Sequence, residues 1–315
     1  MCANTEAIAG VHSYLLYGKE STYNNAVAVT THLGLVTNFR PSITNNMQSH
    51  RGFKGDTTGG RDVVKWTPGV LEYAFGIDFK VTNWAFLELV MGGKAGSDPW
   101  TYTGSVSQPS FTFAHNIDNP GAASTDQEDT FSGSLAENCI IKTSVGEAVT
   151  ATMDLRAAKN VIDTTITGVV GLPNEDVYNF TGGNIELPAA TPISNIIDSV
   201  EISIKNKLDM LVGVGSRLVQ NGIGSERDYM IKFTVKYLDN ALITAAQGAT
   251  TPTATGGPTE YATIELNFAN GSRSAVFTFS LCPLDQFAQL AELNNPISED
   301  VTILGATLSV VEDNT

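Results

Sequence analysis

Apolar and polar residues alternate along much of the chain, and the pattern is clearest between Phe131 and Lys159. This segment predicts two strands that fold back on each other around Val145-Gly146-Glu147. An alternation with a period of two places one set of side chains in a core and leaves the other set in water. In the second strand the apolar set is Val149, Ala151, Met153 and Leu155, and the polar set is Thr150, Thr152, Asp154 and Arg156.

The same alternation recurs elsewhere and predicts a mainly β protein. Asn270-Gly271 lies between two alternating segments, which is the strongest short signal for a β-hairpin. The predicted strands outside the first hairpin are Gly34–Phe39, Leu71–Val81, Ser110–Ala114, Ile162–Val170, Asp198–Ile204, Tyr229–Tyr237, Ala262–Phe268, Arg273–Cys282 and Val301–Val310.

Three short segments predict helices. The first follows the Leu71–Val81 strand, with Thr82 or Asn83 as its N-cap and Gly92 as its stop. The second is Asp239–Gln247, which Asp239 would cap. The third is Pro283–Asn294, where Phe287, Leu290 and Leu293 recur at helical spacing.

Between these elements lie segments rich in Gly, Pro, Asn and Thr, which predict loops. Both halves of the chain contain strands, a short helix, a long loop and a hairpin. No motif recurs at a fixed spacing, so the sequence does not predict an internal duplication. The predicted loops are an exposed arm at Asn45–Gly60, a long loop at Lys94–Glu128 broken by one strand, a linker or insertion at Gly171–Ile193, and an exposed loop at Gln247–Thr259.

The charge of the chain argues against a nucleic-acid-binding protein. There are 33 acidic residues and 18 basic ones, which give a net charge of −15. Binding to phosphates requires Lys and Arg in excess, whereas an acid excess repels them. Solubility through self-repulsion explains the same excess equally well.

The cysteines indicate a protein made in a reducing compartment. Cys2, Cys139 and Cys282 are far apart, and the last two lie in apolar strand patterns, so we expect free thiols. The first residues lack the basic and apolar regions of a signal peptide, and no run is long enough to span a membrane.

The chain has no sequence frame for catalysis. Its four histidines, at positions 12, 32, 50 and 115, have neither an i,i+4 partner nor a nearby cysteine, so we expect exposed loop residues. No GxSxG motif and no phosphate-binding glycine loop is present. We therefore expect no enzyme activity, no catalytic residues, no cofactor and no metal site.

Two groups of residues have a functional and a plainer reading. Oxygen ligands in an acidic loop could hold Ca²⁺, but the EF-hand spacing is missing, which favours a solvated loop. A tryptophan surface could stack on sugars, although Trp84 fits the core of the first helix better. The acidic loop contains Asp118, Asp126, Glu128 and Asp129, and the tryptophans are Trp66, Trp84 and Trp100.

Three segments together resemble the tail tube proteins (major tail proteins) of tailed bacterial and archaeal viruses. The first begins with TEAIAGVHSYLLYGKESTYNN and continues in segments as far as Gly93. The second is the hairpin FSGSLAENCIIKTSVGEAVTATMDLRAAKNV, and the third is IIDSVEISIKNKLDMLVGVGSRLVQNGIGSERDYMIKFTVKYLD. The likeness spans nearly the whole chain and rests on diffuse patterns. The chain is longer than the shorter tube proteins.

The resemblance implies an antiparallel β-sandwich or barrel with one or two short flanking helices. It also implies that six copies close into a ring and that rings stack into a tube through which viral DNA passes without specific binding. The further partners would be a tape measure protein, a tail terminator and, in a contractile tail, a sheath. The protein would be made in the host cytoplasm and reside in the virion tail, without membrane contact.

Within that framework, residues 1–60 would form an N-terminal arm and loop region, and residues 61–315 a tail-tube-like β domain. Insertions are expected near 171–193 and 247–259, and the arms at 45–60 and 94–128 would join successive rings. Thr150, Thr152 and Asp154 are the candidates that face the lumen or a neighbouring subunit. The alternatives are a capsid decoration or tail terminator protein, and a carbohydrate-binding β-sandwich that uses Trp66 or Trp100.

Overall fold

The computed structural model describes residues 13–51, 63, 65–118, 126–166, 175–187 and 197–314. Its α-helices are α1 (Leu87–Met91) and α2 (Ala241–Gln247), and Phe180–Gly182 form a short 3-10 helix. Its strands are β1 (Ser13–Lys19), β2 (Leu35–Thr44), β3 (Gln48–His50), β4 (Lys65–Thr67), β5 (Glu72–Lys80), β6 (Gly92–Gly96), β7 (Trp100–Gly104), β8 (Phe111–Ile117), β9 (Gln127–Ser144), β10 (Thr150–Ala157), β11 (Lys159–Asp163), β12 (Gly183–Glu186), β13 (Ile197–Leu211), β14 (Asn221–Lys236), β15 (Glu260–Asn270), β16 (Arg273–Leu290), β17 (Ser298–Gly305) and β18 (Thr307–Asp313).

The predicted mainly β, antiparallel architecture is confirmed. One broad layer, which we call the large sheet, has the strand order β2-β5-β10-β9-β13-β14-β17-β16. Strands β9 and β16 are each 18 residues long, and each leaves the large sheet at its N-terminal half. There they join two further layers, the first covering sheet (β1-β8-β9-β11) and the second covering sheet (β12-β15-β16-β18-β7-β6).

The two covering sheets and the large sheet enclose one hydrophobic core. Phe75 of the large sheet contacts Phe113 and Phe131 of the first covering sheet, with ring centroids 5.3 and 4.9 Å apart. Trp84, which is fully buried, contacts Phe277 of the second covering sheet at 4.9 Å. The core therefore covers one face of the large sheet and leaves the other face, which we call the outer face, to solvent.

The alternation predicted for the first hairpin is confirmed. Strands β9 and β10 pair antiparallel, with Met153 opposite Cys139, and the turn lies at Gly146, which has φ +81°. The apolar set of β10 is buried, with Met153 fully inaccessible, whereas Thr150 and Asp154 are exposed. The polar set of β10 therefore belongs to the outer face of the large sheet.

Strands β9 and β16 change sheets in the same way. Each has a residue with positive φ at the crossing, Gly133 at +64° and Leu281 at +51°. The carbonyl oxygen one residue earlier, in Ser132 or Ser280, accepts a hydrogen bond of 3.0 Å from a backbone N–H. The two donors are Ala158 and Ala306, which separate β10 from β11 and β17 from β18.

The two halves of the chain repeat one order of elements, contrary to the expectation from sequence. The series β1-β2-β5-α1-β8-β9-β10-β11 corresponds to β12-β13-β14-α2-β15-β16-β17-β18, with the same pairings. A bulge in β2, at Thr37, recurs in β13 at Asp198, and a bulge in β9, at Glu137, recurs in β16 at Asp285. Among the described residues, β3, β4, β6 and β7 occur in the first half alone.

Helix boundaries differ from the prediction. Helix α1 begins at Leu87, later than Thr82 and Asn83 would place it, because the Asn83 side chain accepts a hydrogen bond from Ala85 N–H within a preceding turn. It ends at Gly92 as predicted, with φ +88°. Helix α2 has Asn240 at its N-cap position, and the predicted cap Asp239 accepts from Ala241 N–H at 2.8 Å.

The predicted helix at Pro283–Asn294 is wrong, since β16 continues as a strand to Leu290. The strand predicted at Val301–Val310 is two strands, because the chain changes sheets at Ala306. Backbone pairing with β17 and β18 overrides the local spacing in both places.

Three predicted loops contain ordered structure. The segment Lys94–Glu128 holds the β6–β7 hairpin and β8, and the described part of Gly171–Ile193 holds β12 and the fully buried Tyr178. In the arm at Asn45–Gly60, β3 pairs with β4, while residues 52–60 lie outside the described residues. The segment 248–259 has no helix or strand, as predicted. It follows α2 in the second half of the chain, in the place that the β6–β7 hairpin takes after α1 in the first half.

Candidate lumen and subunit-interface surface

The three candidate residues of β10 lie side by side on the outer face of the large sheet. Thr152 donates a hydrogen bond to Asp78 on β5 (3.0 Å), and Thr150 donates to the carbonyl oxygen of Lys142 on β9 (3.3 Å). Asp154 accepts a hydrogen bond from the Asn138 side chain at 3.3 Å. These contacts join β10 to both neighbouring strands but form no catalytic arrangement.

Asp78 is the centre of the densest polar network on this face. It accepts hydrogen bonds from Arg40 and from Asn38 on β2, in addition to the one from Thr152. The Arg40 hydrogen bond lowers the pKa of Asp78 below its usual value, with further contributions from Thr152 and Asn38, although partial burial opposes the shift. The same contact raises the pKa of Arg40. The pair therefore stays ionised near neutral pH.

Ion pairs hold most of the basic residues of the outer face. These pairs cross from strand to strand, because residues that lie opposite or diagonal to each other in a sheet bring their side chains within reach. The paired residues are Arg40 with Asp78, Lys142 with Glu201 (3.0 Å), Arg156 with Glu137 (2.9 Å), Lys207 with Glu226 (3.4 Å) and Lys236 with Asp198 (2.5 Å).

Only a small part of the acid excess of the chain lies on this face. The strand registers place Lys80, Lys205 and Lys232 there beside the paired bases, and Glu72, Asp154, Asp209, Asp228 and Asp300 beside the paired acids. Acidic residues thus slightly outnumber basic ones on the outer face, by far less than the net charge of −15 of the whole chain.

Among the grooves on the outer face, a shallow polar one crosses β9, β13, β14 and β17 and has a volume of 420 Å³. Lys142, Glu201, Lys232 and Asp300 line it. The lining side chains come from several strands, and basic and acidic groups alternate among them. Neither positive nor negative charge is therefore concentrated in the groove. The groove has neither the apolar walls nor the convergent polar groups typical of a small-molecule site.

The other candidates from sequence are placed as follows. Trp84 is in the core, as predicted. Trp66 is 56% exposed on β4, whereas Trp100 on β7 lies beneath Lys94, whose Nζ is 4.0 Å from the ring centroid. Trp66 and Trp100 belong to different sheets. Cys139 and Cys282 are free and buried, as predicted, and burial raises the pKa of both thiols.

His115 is not the exposed loop residue expected from sequence. It lies in β8 with 14% of its side chain exposed, and its ring centroid is 4.5 Å from that of Phe39. Burial lowers its pKa, and Asp129, 4.0 Å from its Nδ1, partly opposes this. His12 lies outside the described residues.

The predicted acidic loop is also wrong in part, since Glu128 and Asp129 belong to β9, and residues 119–125 lie outside the described chain. Within the described residues, no group of three or more His, Cys, Asp or Glu side chains is placed to hold a metal. None of the helices within the described residues is long and apolar enough to cross a membrane.

Sequence reasoning missed Arg40 and Asp78. The signal for Asp78 was available, because it occupies a polar position of the predicted Leu71–Val81 strand. Arg40 was beyond the predicted end of its strand at Phe39, and the strand extends to Thr44. Their partnership depends on which strands are neighbours, which alternation does not specify.

Comparison with known proteins agrees with this β-rich fold. The model of the family described as phage tail tube protein matches residues 10–310. No curated protein matches the chain. Because the match covers nearly the whole chain, the protein belongs to the phage tail tube protein family.

Proposed function

We propose that this chain is the structural subunit of a virus tail tube, without enzymatic activity. Copies close into rings, rings stack into a tube, and the tube delivers the genome. The resemblance implies six copies in each ring. The single observation that carries the proposal is the family match over residues 10–310.

The outer face of the large sheet is the surface that fits the lumen. The covering sheets and both α-helices pack on its opposite face, which contributes to the core. A sheet that closes around an axis with its apolar face covered leaves its polar face directed inward. Thr150, Thr152 and Asp154 then face the channel, and the neighbouring subunit meets the edges of the sheet.

The charge arrangement of this face suits a channel for DNA. Strong binding to DNA requires basic side chains that are free to neutralise phosphates. On this face Arg40, Lys142, Arg156, Lys207 and Lys236 are each paired with an acid. A weakly charged wall on which most bases are paired neither holds the phosphates nor repels them strongly, so DNA passes without specific binding.

The remaining partners follow from a place in the tail. The tube would contact the tape measure protein within its channel, a terminator at its end and, in a contractile tail, a sheath on its outside. The arm at 45–60 and the segment 94–128, which includes β6 and β7, are the proposed contacts between successive rings. The protein would be made in the host cytoplasm and assembled into the virion.

Electron microscopy of the purified protein and of the virion tests the proposal. Tubes of stacked rings are the expected result, with very many copies in each particle. A few copies per virion would instead fit a terminator, and copies on the capsid would fit a decoration protein. A protein that stays strictly monomeric under all assembly conditions, and has no place in a tail, would refute the tube subunit.

A further inference from the structure

Resting on the proposed function, we propose that three copies of this chain, and not six, close each ring. Each copy supplies two of the six units, and β2 of one copy pairs with the C-terminal end of β16 of the next. The partner at each open edge of the large sheet is thus a second copy of the same chain.

The large sheet is divided between the two halves of the chain. Its strand order divides at the middle into β2-β5-β10-β9, all from the first half of the chain, and β13-β14-β17-β16, all from the second. The two groups correspond strand by strand in the repeat described above. One chain therefore already contains two adjacent units of a ring, each with four strands.

The chain itself contains one junction between two such units. Strands β9 and β13 pair antiparallel, from Ser199 opposite Ser144 to Lys205 opposite Asn138. The pair Ile204 and Cys139 at this junction points into the core, and both side chains are fully buried. The repeat thus provides a template for how one unit meets the next.

The same pairing can form between the two open edges of the large sheet in neighbouring copies. In the repeat, β2 corresponds to β13 and the end of β16 corresponds to that of β9. In the described chain, β2 is paired through β5 alone, and the end of β16 is paired through β17 alone. The junction between copies then has Thr44 opposite Gln286, Ser42 opposite Ala288, and Arg40 opposite Leu290.

The side chains at these edges are those expected of an unfilled junction. Ile43 corresponds to the buried Ile204, yet it is 52% exposed. Phe287, the counterpart of Cys139, is only partly buried, and Leu290 is 54% exposed. Ile43 and Phe287 would meet on the core side of the new ladder. Open edges with exposed apolar residues are otherwise a liability that proteins cover.

Such a contact joins two different edges, so it is heterologous and can close into a ring. Pro41 provides no N–H, as is tolerated on the free side of an edge strand, and the ladder has one donor fewer there. The two units of a copy also differ, because within the described parts of the chain β3, β4, β6 and β7 belong to the first unit alone. The ring therefore has three-fold symmetry and only approximate six-fold symmetry.

A disulfide ladder tests both the register and the number of copies. The double variant Ser42→Cys with Ala288→Cys places two thiols opposite each other across the proposed junction, within the range of a disulfide. Rings of this variant are oxidised and their covalent products separated under denaturing, non-reducing conditions. The matched control is Ser203→Cys with Ile140→Cys, the corresponding pair inside one chain. Single-cysteine variants control for the native thiols.

We expect a ladder of two and then three linked copies that ends at three, while the control pair gives an intramolecular disulfide and no ladder. A ladder that continues to six would overturn the three-copy ring and leave the tube function intact. Assembled rings that form no cross-link, although the control pair oxidises, would overturn the edge pairing. If electron microscopy of the same samples finds no rings, the proposed function itself fails.

Discussion

The backbone N–H of Ala306 donates a hydrogen bond of 3.0 Å to the carbonyl oxygen of Ser280, where β16 crosses from the second covering sheet to the large sheet. Ala158 and Ser132 form the same bond, at the same length, where β9 crosses in the first half. This bond fixes the chain between two strands that separate into different sheets. Its recurrence marks the crossing as the point that organises each unit.

Replacing Gly133 with Ala should destabilise the protein by about 2 kcal/mol or more. The residue has φ +64°, which costs a residue with a side chain roughly 1–2 kcal/mol. A Cβ there would also lie 2.7 Å from the Cβ of Ala158. Denaturant unfolding of the purified monomer measures the change in the free energy of unfolding.

The matched variant is Leu281→Gly at the equivalent crossing. Leu281 has φ +51° and is 56% exposed, so the relief of strain offsets the lost contacts and the greater freedom of glycine. We expect a change smaller than about 1 kcal/mol. Equal losses for both variants would contradict the role assigned to the positive φ.

Asp78→Asn should reduce stability at neutral pH and have little effect in acid. The folded pKa of Asp78 lies below its ordinary value because of Arg40, so its contribution is present above about pH 3.9 and disappears as the pH falls through the folded pKa. A partly exposed pair of this kind contributes up to about 1 kcal/mol. Unfolding curves of both proteins at pH 7 and pH 3 give the difference, which should shrink toward zero at the lower pH.

Glu299→Gln should stabilise the protein at pH 8. Burial raises the pKa of Glu299, with Asp239 adding to the shift, so the folded state favours the protonated form and the charge costs stability at high pH. The advantage of Gln, on the order of 1 kcal/mol, should fall as the pH approaches the ordinary Glu pKa. Thermal unfolding from pH 8 to pH 4 measures it, with the exposed Glu260→Gln as control. An advantage independent of pH would exclude this cause.

Asp154→Lys should slow the passage of DNA. The exposed carboxylate lies on the outer face, and a lysine there would add an unpaired base to a weakly charged wall. Several-fold slower DNA release from triggered virions is expected, with tighter, salt-sensitive retention of DNA by assembled tubes. The control Glu260→Lys makes the same charge change on β15, outside this face. Normal assembly and ejection by Asp154→Lys would argue against the lumen placement.

Much of the fold followed from alternation alone. The polar and apolar faces of β10 were predicted residue by residue, because this strand has one buried and one exposed face. The course of β16 was not predicted, because Phe287 and Leu290 lie at an open edge. Side chains on both faces are partly exposed there, so the alternation of apolar and polar residues is weak. Their spacing then imitates that of a helix.

The duplication was hidden for a related reason. Equivalent positions keep their place in the sheet but not their residue type, as with Gly133 and Leu281 at the crossings, or Lys142 and Leu290 in the outer rows. What the halves share is strand order, bulges and alternation, and alternation is common to all half-buried strands. The repeat becomes visible in the pairing between distant strands, and the residues of a local segment do not determine that pairing.

A subunit-resolved cryo-electron microscopy reconstruction of the assembled tube tests the central claim most directly. The account predicts stacked rings of three copies, a continuous wall in which β2 of one copy lies beside β16 of the next, and Thr150, Thr152 and Asp154 exposed to the channel. A wall built from six copies, or one in which the β2 edge stays unpaired and the polar face points outward, would contradict it.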